Sequence, residues 1–210
     1  MNARGIGYWS KRAFGGLCCA LWALLGGRSA TAQEIADSVQ LRSDCRLAAQ
    51  VLRSGEPATH RSWAFRVIQS CDDEAAAAAI STVWQAPPTD PDDLSWLVAG
   101  SIAHRDARIL EAVMTVARDP GASVPLRIAA LRVLVSYADR RVWVSLADLE
   151  SRRALILPFT DHPSGRDGAV PLPPDVTARI LATFTDLGAS DPNPSIREAA
   201  QFLSRAFPRP

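Results

Sequence analysis

Three histidines, His60, His104 and His162, are the only side chains here whose ordinary titration lies near neutral pH. A metal site or a general base built on them needs a partner at a suitable spacing, such as a second histidine at i+4 on one helix face. None of the three has one, so the expected roles are at the surface or at helix caps. Asp161, His162 and Ser164 have the residue types of a serine hydrolase. Near neighbours in sequence do not fold into a triad, however, and no Gly-x-Ser-x-Gly nucleophile turn occurs. The acidic runs Asp72-Asp73-Glu74 and Asp90-Pro91-Asp92-Asp93 lack the central glycine and distal glutamate of a calcium loop. Acids suit the positive end of a helix dipole, and both runs read as helix starts. No Cys-x-x-Cys pair is present, which leaves zinc-ribbon and thioredoxin-type chemistry unsupported. The sequence therefore assigns no catalytic residue, no metal ligand and no cofactor, and the expectation is a protein that is not an enzyme.

The N-terminus carries a different signal. Arg4, Lys11 and Arg12 precede an apolar run from Ala13 to Leu25, and Ala30-Thr31-Ala32 follows with Gln33 next. Basic, apolar and small-residue segments in that order predict a signal peptide over residues 1–32, removed after Ala32. The apolar run falls short of the ~20 residues that span a bilayer. Cys18 follows Leu17 and Cys19 follows Cys18, whereas a lipidated cysteine follows a small residue, so lipid attachment is the weaker alternative. Without the leader, the 23 basic residues become 19 against 22 acids, a net charge of −3, and every remaining base is arginine. That balance argues against general nucleic-acid binding, which depends on neutralising phosphates. The expected location is periplasmic or secreted, with no membrane attachment once the leader is gone. Cys45 and Cys71 remain, and two cysteines in an exported chain suggest one disulfide.

Residues 33–210 read as one helical domain. With 48 % hydrophobic and 21 % charged residues the chain can build a core. Turn signals divide it into helices near 41–52, 58–70, 72–84, 91–104, 106–118, 124–138, 174–187 and 194–206, with Gly188 placed as a C-terminal stop. The clearest is the sixth. Leu126, Ala129, Ala130, Val133, Leu134 and Tyr137 repeat on one face, while Ile128, Leu131 and Val135 extend the apolar surface round its sides. A helix apolar on several faces is covered from several sides. Trp63, Trp84 and Trp96 read as packing residues. Aligning Trp63, Trp96, Ala129 and Ala199 gives steps of 33, 33 and 70 residues. That is the spacing of stacked helix pairs, about four of them, with an insertion before the last.

The segment Asp191-Pro192-Asn193-Pro194-Ser195-Ile196-Arg197-Glu198-Ala199-Ala200-Gln201-Phe202-Leu203 resembles the second-helix segment of a HEAT-like repeat. Asp119-Pro120 followed by Val124-Pro125-Leu126-Arg127-Ile128-Ala129-Ala130-Leu131 is similar. The first two units depart from the pattern: Trp63 and Trp96 stand where the alanine is expected, and no loop aspartate precedes Arg61. The resemblance implies an all-α fold, a short α-solenoid. It also implies that the aspartate closes the loop between paired helices while the arginine ties it down, Asp119 with Arg127 and Asp191 with Arg197. HEAT-like stacks serve as protein-binding scaffolds and as enzyme subunits, so a scaffold for another exported protein is the first expectation. An accessory subunit of an envelope enzyme is the alternative.

Residues 139–173 break the repeat. Val142-Trp143-Val144 and Leu155-Ile156-Leu157 favour extended chain, and Thr160 to Gly168 has loop composition. Trp143 and Phe159 supply apolar surface, and His162 and Arg166 supply polar groups beside it. Apolar anchors within a polar surround are the pattern of an interface hot spot, which makes these four the candidate interaction residues; the competing expectation is a tolerated insertion whose apolar residues fold back on the stack as a cover. Gly165 and Gly168 are expected to give the backbone freedom, and Ser164–Gly168 to form a tip that supports no core.

Overall fold

The computed structural model describes residues 40–54, 58–71, 74–139, 142–143, 157–158 and 166–207. The expected leader, residues 1–32, lies outside them. The chain divides into two compact units, Met1–Ser43 and Asp44–Pro210. Of the first only residues 40–43 are described, and they are helical. The second holds the helical stack.

The architecture is all-helical. The described helices are α1 (residues 40–54), α2 (Ala58–Ile68), α3 (Glu74–Gln85), α4 (Pro91–Ala103), α5 (Ala107–Arg118), α6 (Val124–Ala138), α7 (Val176–Ser190) and α8 (Pro194–Ala206). Their starts follow from local chemistry. Asp90 accepts the backbone N–H groups of Asp92 and Asp93, and Pro91 occupies the first turn, where its missing donor costs nothing. Asp106 caps α5 through the N–H of Arg108, and Asn193 caps α8 through Ser195 and Ile196.

In α1, Cys45, Ala48, Ala49 and Leu52 recur at helical spacing and are buried. The sulfur of Cys45 is joined to that of Cys71, with the α-carbons 5.6 Å apart, inside the ~7 Å limit for such a bond. α3 packs on α5, α5 on α6, and α7 on α8. A second row runs from α2 to α4 to α6, and α6 also touches α7 and α8. Helices pack here as two rows of paired elements, an arrangement compatible with a short helical solenoid. α6 is packed by α4, α5, α7 and α8, and Arg127 to Tyr137 are all buried. Trp84 joins α3 to α4 by burying its ring and donating its indole N–H to Ser101 Oγ at 2.8 Å. No helix among the described residues is long and apolar enough to cross a membrane.

Gly188 does not end a helix. α7 continues to Ser190, and Gly188 sits where α7 and α8 cross. A Cβ there would lie 3.0 Å from Gln201 Cγ and 3.2 Å from the Gln201 backbone nitrogen. The expected stop is corrected for a simple reason: a terminal glycine and a close-approach glycine look alike until the partner helix is in place.

Two short ladders accompany the insertion. β1 (His104–Arg105), the link between α4 and α5, pairs in parallel with β4 (Arg166–Asp167). β2 (Val142–Trp143) pairs antiparallel with β3 (Leu157–Pro158). Each is two residues long, too small to form a layer. The extended tendency of Val142–Trp143 is met in β2.

Candidate functional site

The densest polar arrangement among the described residues lies at the corner between α4 and α5. Asp106 is fully buried there. Its carboxylate accepts the Arg108 backbone N–H at 2.9 Å, Arg108 Nε at 2.9 Å, Arg108 Nη2 at 2.8 Å and the Val170 backbone N–H at 3.1 Å. Burial pushes its pKa up, but the Arg108 side-chain bonds, the two N–H groups and the Arg108 charge outweigh it and hold the group below its ordinary value. A carboxylate offers about four acceptor sites, and here four donors occupy them. Asp106 is thus a structural anchor with no lone pair spare for a substrate proton.

Tyr137, from α6, lies beneath the same corner. Its hydroxyl is within 3.0 Å of Ser101 O and 2.6 Å of His104 O, and it accepts the Asp106 N–H at 3.3 Å. Burial raises its pKa, so the phenol stays neutral. Arg105 lies over the Tyr137 ring, its guanidinium carbon 5.3 Å from the centroid, and donates to the carbonyls of Ser136 and Tyr137. His104 is buried, with Nε2 2.6 Å from Ile68 O. That corrects the surface role expected for it, although it is the C-cap residue of α4. His60 lies exposed on α2, more than two turns along the helix from Ile68, so the fold does not pair these histidines. His162 lies outside the described residues. Among the described residues no group of three or more His, Cys, Asp or Glu side chains could hold a metal ion.

The return of the insertion presses on this corner. Gly168 donates its N–H to Arg105 O at 3.0 Å, and Ala107 donates to Val170 O at 3.1 Å. A Cβ on Gly168 would lie 2.5 Å from Asp106 Cβ and 2.6 Å from Asp106 Cα. No such contact is tolerable, so only glycine fits. This overturns two expectations at once. Gly168 serves close approach rather than backbone freedom, and Ser164–Gly168 is not a tip free of the core, since its last residue seats against buried Asp106. Of the four expected interaction residues, Trp143 and Arg166 lie in β2 and β4, while Phe159 and His162 lie outside the described residues.

The loop anchors pair differently from the resemblance. Arg127 and Asp191 are both buried and form a two-pronged ion pair, Nη1 to Oδ1 at 3.1 Å and Nη2 to Oδ2. Arg127 also donates to Ala117 O from Nε at 3.0 Å and Nη2 at 2.9 Å. Asp119, the partner expected for Arg127, is exposed and closes its own turn by accepting the Gly121 N–H at 2.8 Å. The bidentate geometry that a guanidinium favours is met by the aspartate of the next unit. Arg197 bonds the carbonyls of Asp191 and Pro192 at 2.6 and 3.1 Å, not the Asp191 carboxylate. At the other end of the row Arg61 Nε lies 3.5 Å from Asp93 Oδ2, and Ser62 donates to Asp93 Oδ1 at 2.8 Å. Arg105, Arg127 and Arg132 are all buried, so the arginines are not only the solvated surface and loop anchors that their scatter suggests.

From sequence alone, Asp106 reads as a helix start and Tyr137 as a core position. That they meet, along with Arg105 and Gly168, is not visible there. The one local signal is a capping aspartate before α5, because the partner backbone arrives from residues 168–170. Comparison with family models, with curated proteins and with solved structures finds no match to this chain.

Proposed function

We propose that this chain is an exported, non-catalytic interaction module: a HEAT-like stack of helix pairs that presents the 139–173 insertion to another protein. One observation carries the reading. The excursion between α6 and α7 is seated on the helical stack by a contact at Gly168 that admits no side chain at all. Binding residues commonly sit on segments positioned by a rigid scaffold, and a long excursion that returns to one defined seat on the stack resembles such a segment. The polar groups at the corner support the non-catalytic part, since Asp106 and Tyr137 spend their hydrogen-bonding capacity on the protein's own backbone and on Arg108. The paired rows of helices and the Arg197 bonds to Asp191 and Pro192 carbonyls support the HEAT-like part. The basic, apolar and small-residue order of residues 4–32 supports export.

The test is affinity capture from the envelope fraction, with the mature chain checked by intact mass for a start at Gln33. Once a partner is identified, its affinity is measured for the native protein and for a Phe159→Ser, His162→Ala double variant that keeps Gly168. At least a tenfold loss, about 1.4 kcal/mol, is expected for the double variant. Unchanged affinity in a folded variant removes the insertion as the binding surface and moves attention to the helical faces.

A further inference from the structure

We propose that residues 168–170 form a releasable latch on the α4–α5 corner, one that opens locally while the helical stack stays packed. Two kinds of contact meet there, and they differ in depth. On the stack side, every major bond is made within the stack itself. Asp106 keeps three N–H donors from Arg108, Tyr137 keeps Ser101 O and His104 O, and Arg105 keeps the carbonyls of Ser136 and Tyr137, whether or not residues 168–170 are seated. On the latch side residues 168–170 make three hydrogen bonds, Gly168 N–H to Arg105 O, Ala107 N–H to Val170 O, and Val170 N–H to Asp106 Oδ2, directly after the β1–β4 pairing of Arg166–Asp167 with His104–Arg105.

Buried apolar area adds little to these three bonds. Gly168 has no side chain, and Ala169, Val170 and Pro171 are exposed. Segments held by exposed hydrogen bonds and few apolar contacts open at lower free energy than the core. Water reaching the lifted corner can satisfy Arg105 O, the Ala107 N–H and the vacated lone pair of Asp106, so opening strands no buried polar group. The close fit at Gly168 makes the latch specific: it seats only when position 168 carries no Cβ. As a regulator of partner binding the latch rests on the proposed role of residues 139–173. As a local opening it rests on this geometry alone.

Native-state hydrogen exchange of the full chain tests it with no partner present. The amides of Gly168, Val170 and Ala107 should exchange as one group, at least about tenfold faster than the α6 amides from Leu131 to Val135. Gly168→Ala should speed that group by about a further tenfold and leave α6 unchanged. If the three amides in the native protein exchange at the α6 rate, the corner opens only by global unfolding and the latch does not exist. That measurement needs no variant, so it decides the matter even if Gly168→Ala fails to fold. Where Gly168→Ala folds, an equal acceleration of α6 is also fatal. A failed latch leaves the interaction reading standing, and a failed capture experiment leaves the latch standing.

Discussion

Arg127 carries its charge into the interior of the stack, and its neighbours there determine what that charge contributes. Its guanidinium is divided between the Asp191 carboxylate and Ala117 O, so it ties the end of α5 to the turn before α8. Replacing a buried ion pair by apolar residues is often tolerated, whereas removing one partner strands the other charge. Arg127→Met should therefore cost ~3–5 kcal/mol. Adding Asp191→Asn should recover part of that loss, because the stranded charge is gone while an amide oxygen still accepts the Asn193 N–H that Asp191 now holds at 2.9 Å. Urea unfolding of the two single variants and the double variant gives the coupling directly. Asp119→Ala is the control: an exposed turn residue whose carboxylate closes its own turn on the Gly121 N–H should lose no more than ~1 kcal/mol. Equal losses at Asp119 and Asp191 would mean that the within-unit pairing is energetically real and that the cross-unit pair contributes nothing special.

Elements are legible in the sequence where their information is local. The 3.6-residue period of α6, the Pro91 and Pro194 starts and the helix-opening Asp90 and Asp106 all lie within a few residues of what they dictate. Contacts between distant elements are not legible. Gly168 meets Asp106, and Arg127 meets Asp191, across more than sixty residues each, and no local spacing encodes such a meeting. Gly188 shows the same limit inside one element. At a helix stop, glycine is chosen for a left-handed backbone, and alanine there is strained. At a helix crossing, glycine is chosen for space, and alanine restores helix propensity worth ~1 kcal/mol against a modest clash with Gln201. Gly188→Ala should therefore leave the melting temperature nearly unchanged. Gly188→Leu, which drives a side chain into the α7–α8 contact, should cost ~1–3 kcal/mol. A large loss for alanine with no further loss for leucine would return Gly188 to the role of a stop.

At the scale of the molecule, two carboxylates in separate corners titrate in the same direction. Asp106 holds the α4–α5 corner and Asp191 the α7–α8 corner, and both have pKa values below the ordinary aspartate value. For Asp191, as for Asp106, burial pushes the value up, and the hydrogen bonds from its arginine, from a backbone N–H and the nearby positive charge more than reverse it. A group whose folded pKa lies below its unfolded one stabilises the fold fully above the unfolded value, ~3.9 for aspartate. That contribution is lost as pH falls through the folded value. Neither carboxylate predicts a stability change between pH 5 and 7. Both predict a fall below about pH 4, where the unfolded chain takes up protons that the folded corners resist. Acid unfolding followed by intrinsic tryptophan fluorescence, to which buried Trp84 contributes, should show a transition in that window. The sites act through different corners, so Asp191→Asn should reduce the steepness of the acid limb without abolishing it, leaving the Asp106 share. An acid limb unchanged in Asp191→Asn would mean that Asp191 binds its proton equally well folded and unfolded, and that the Arg127 pair does not hold its carboxylate in the ionised form.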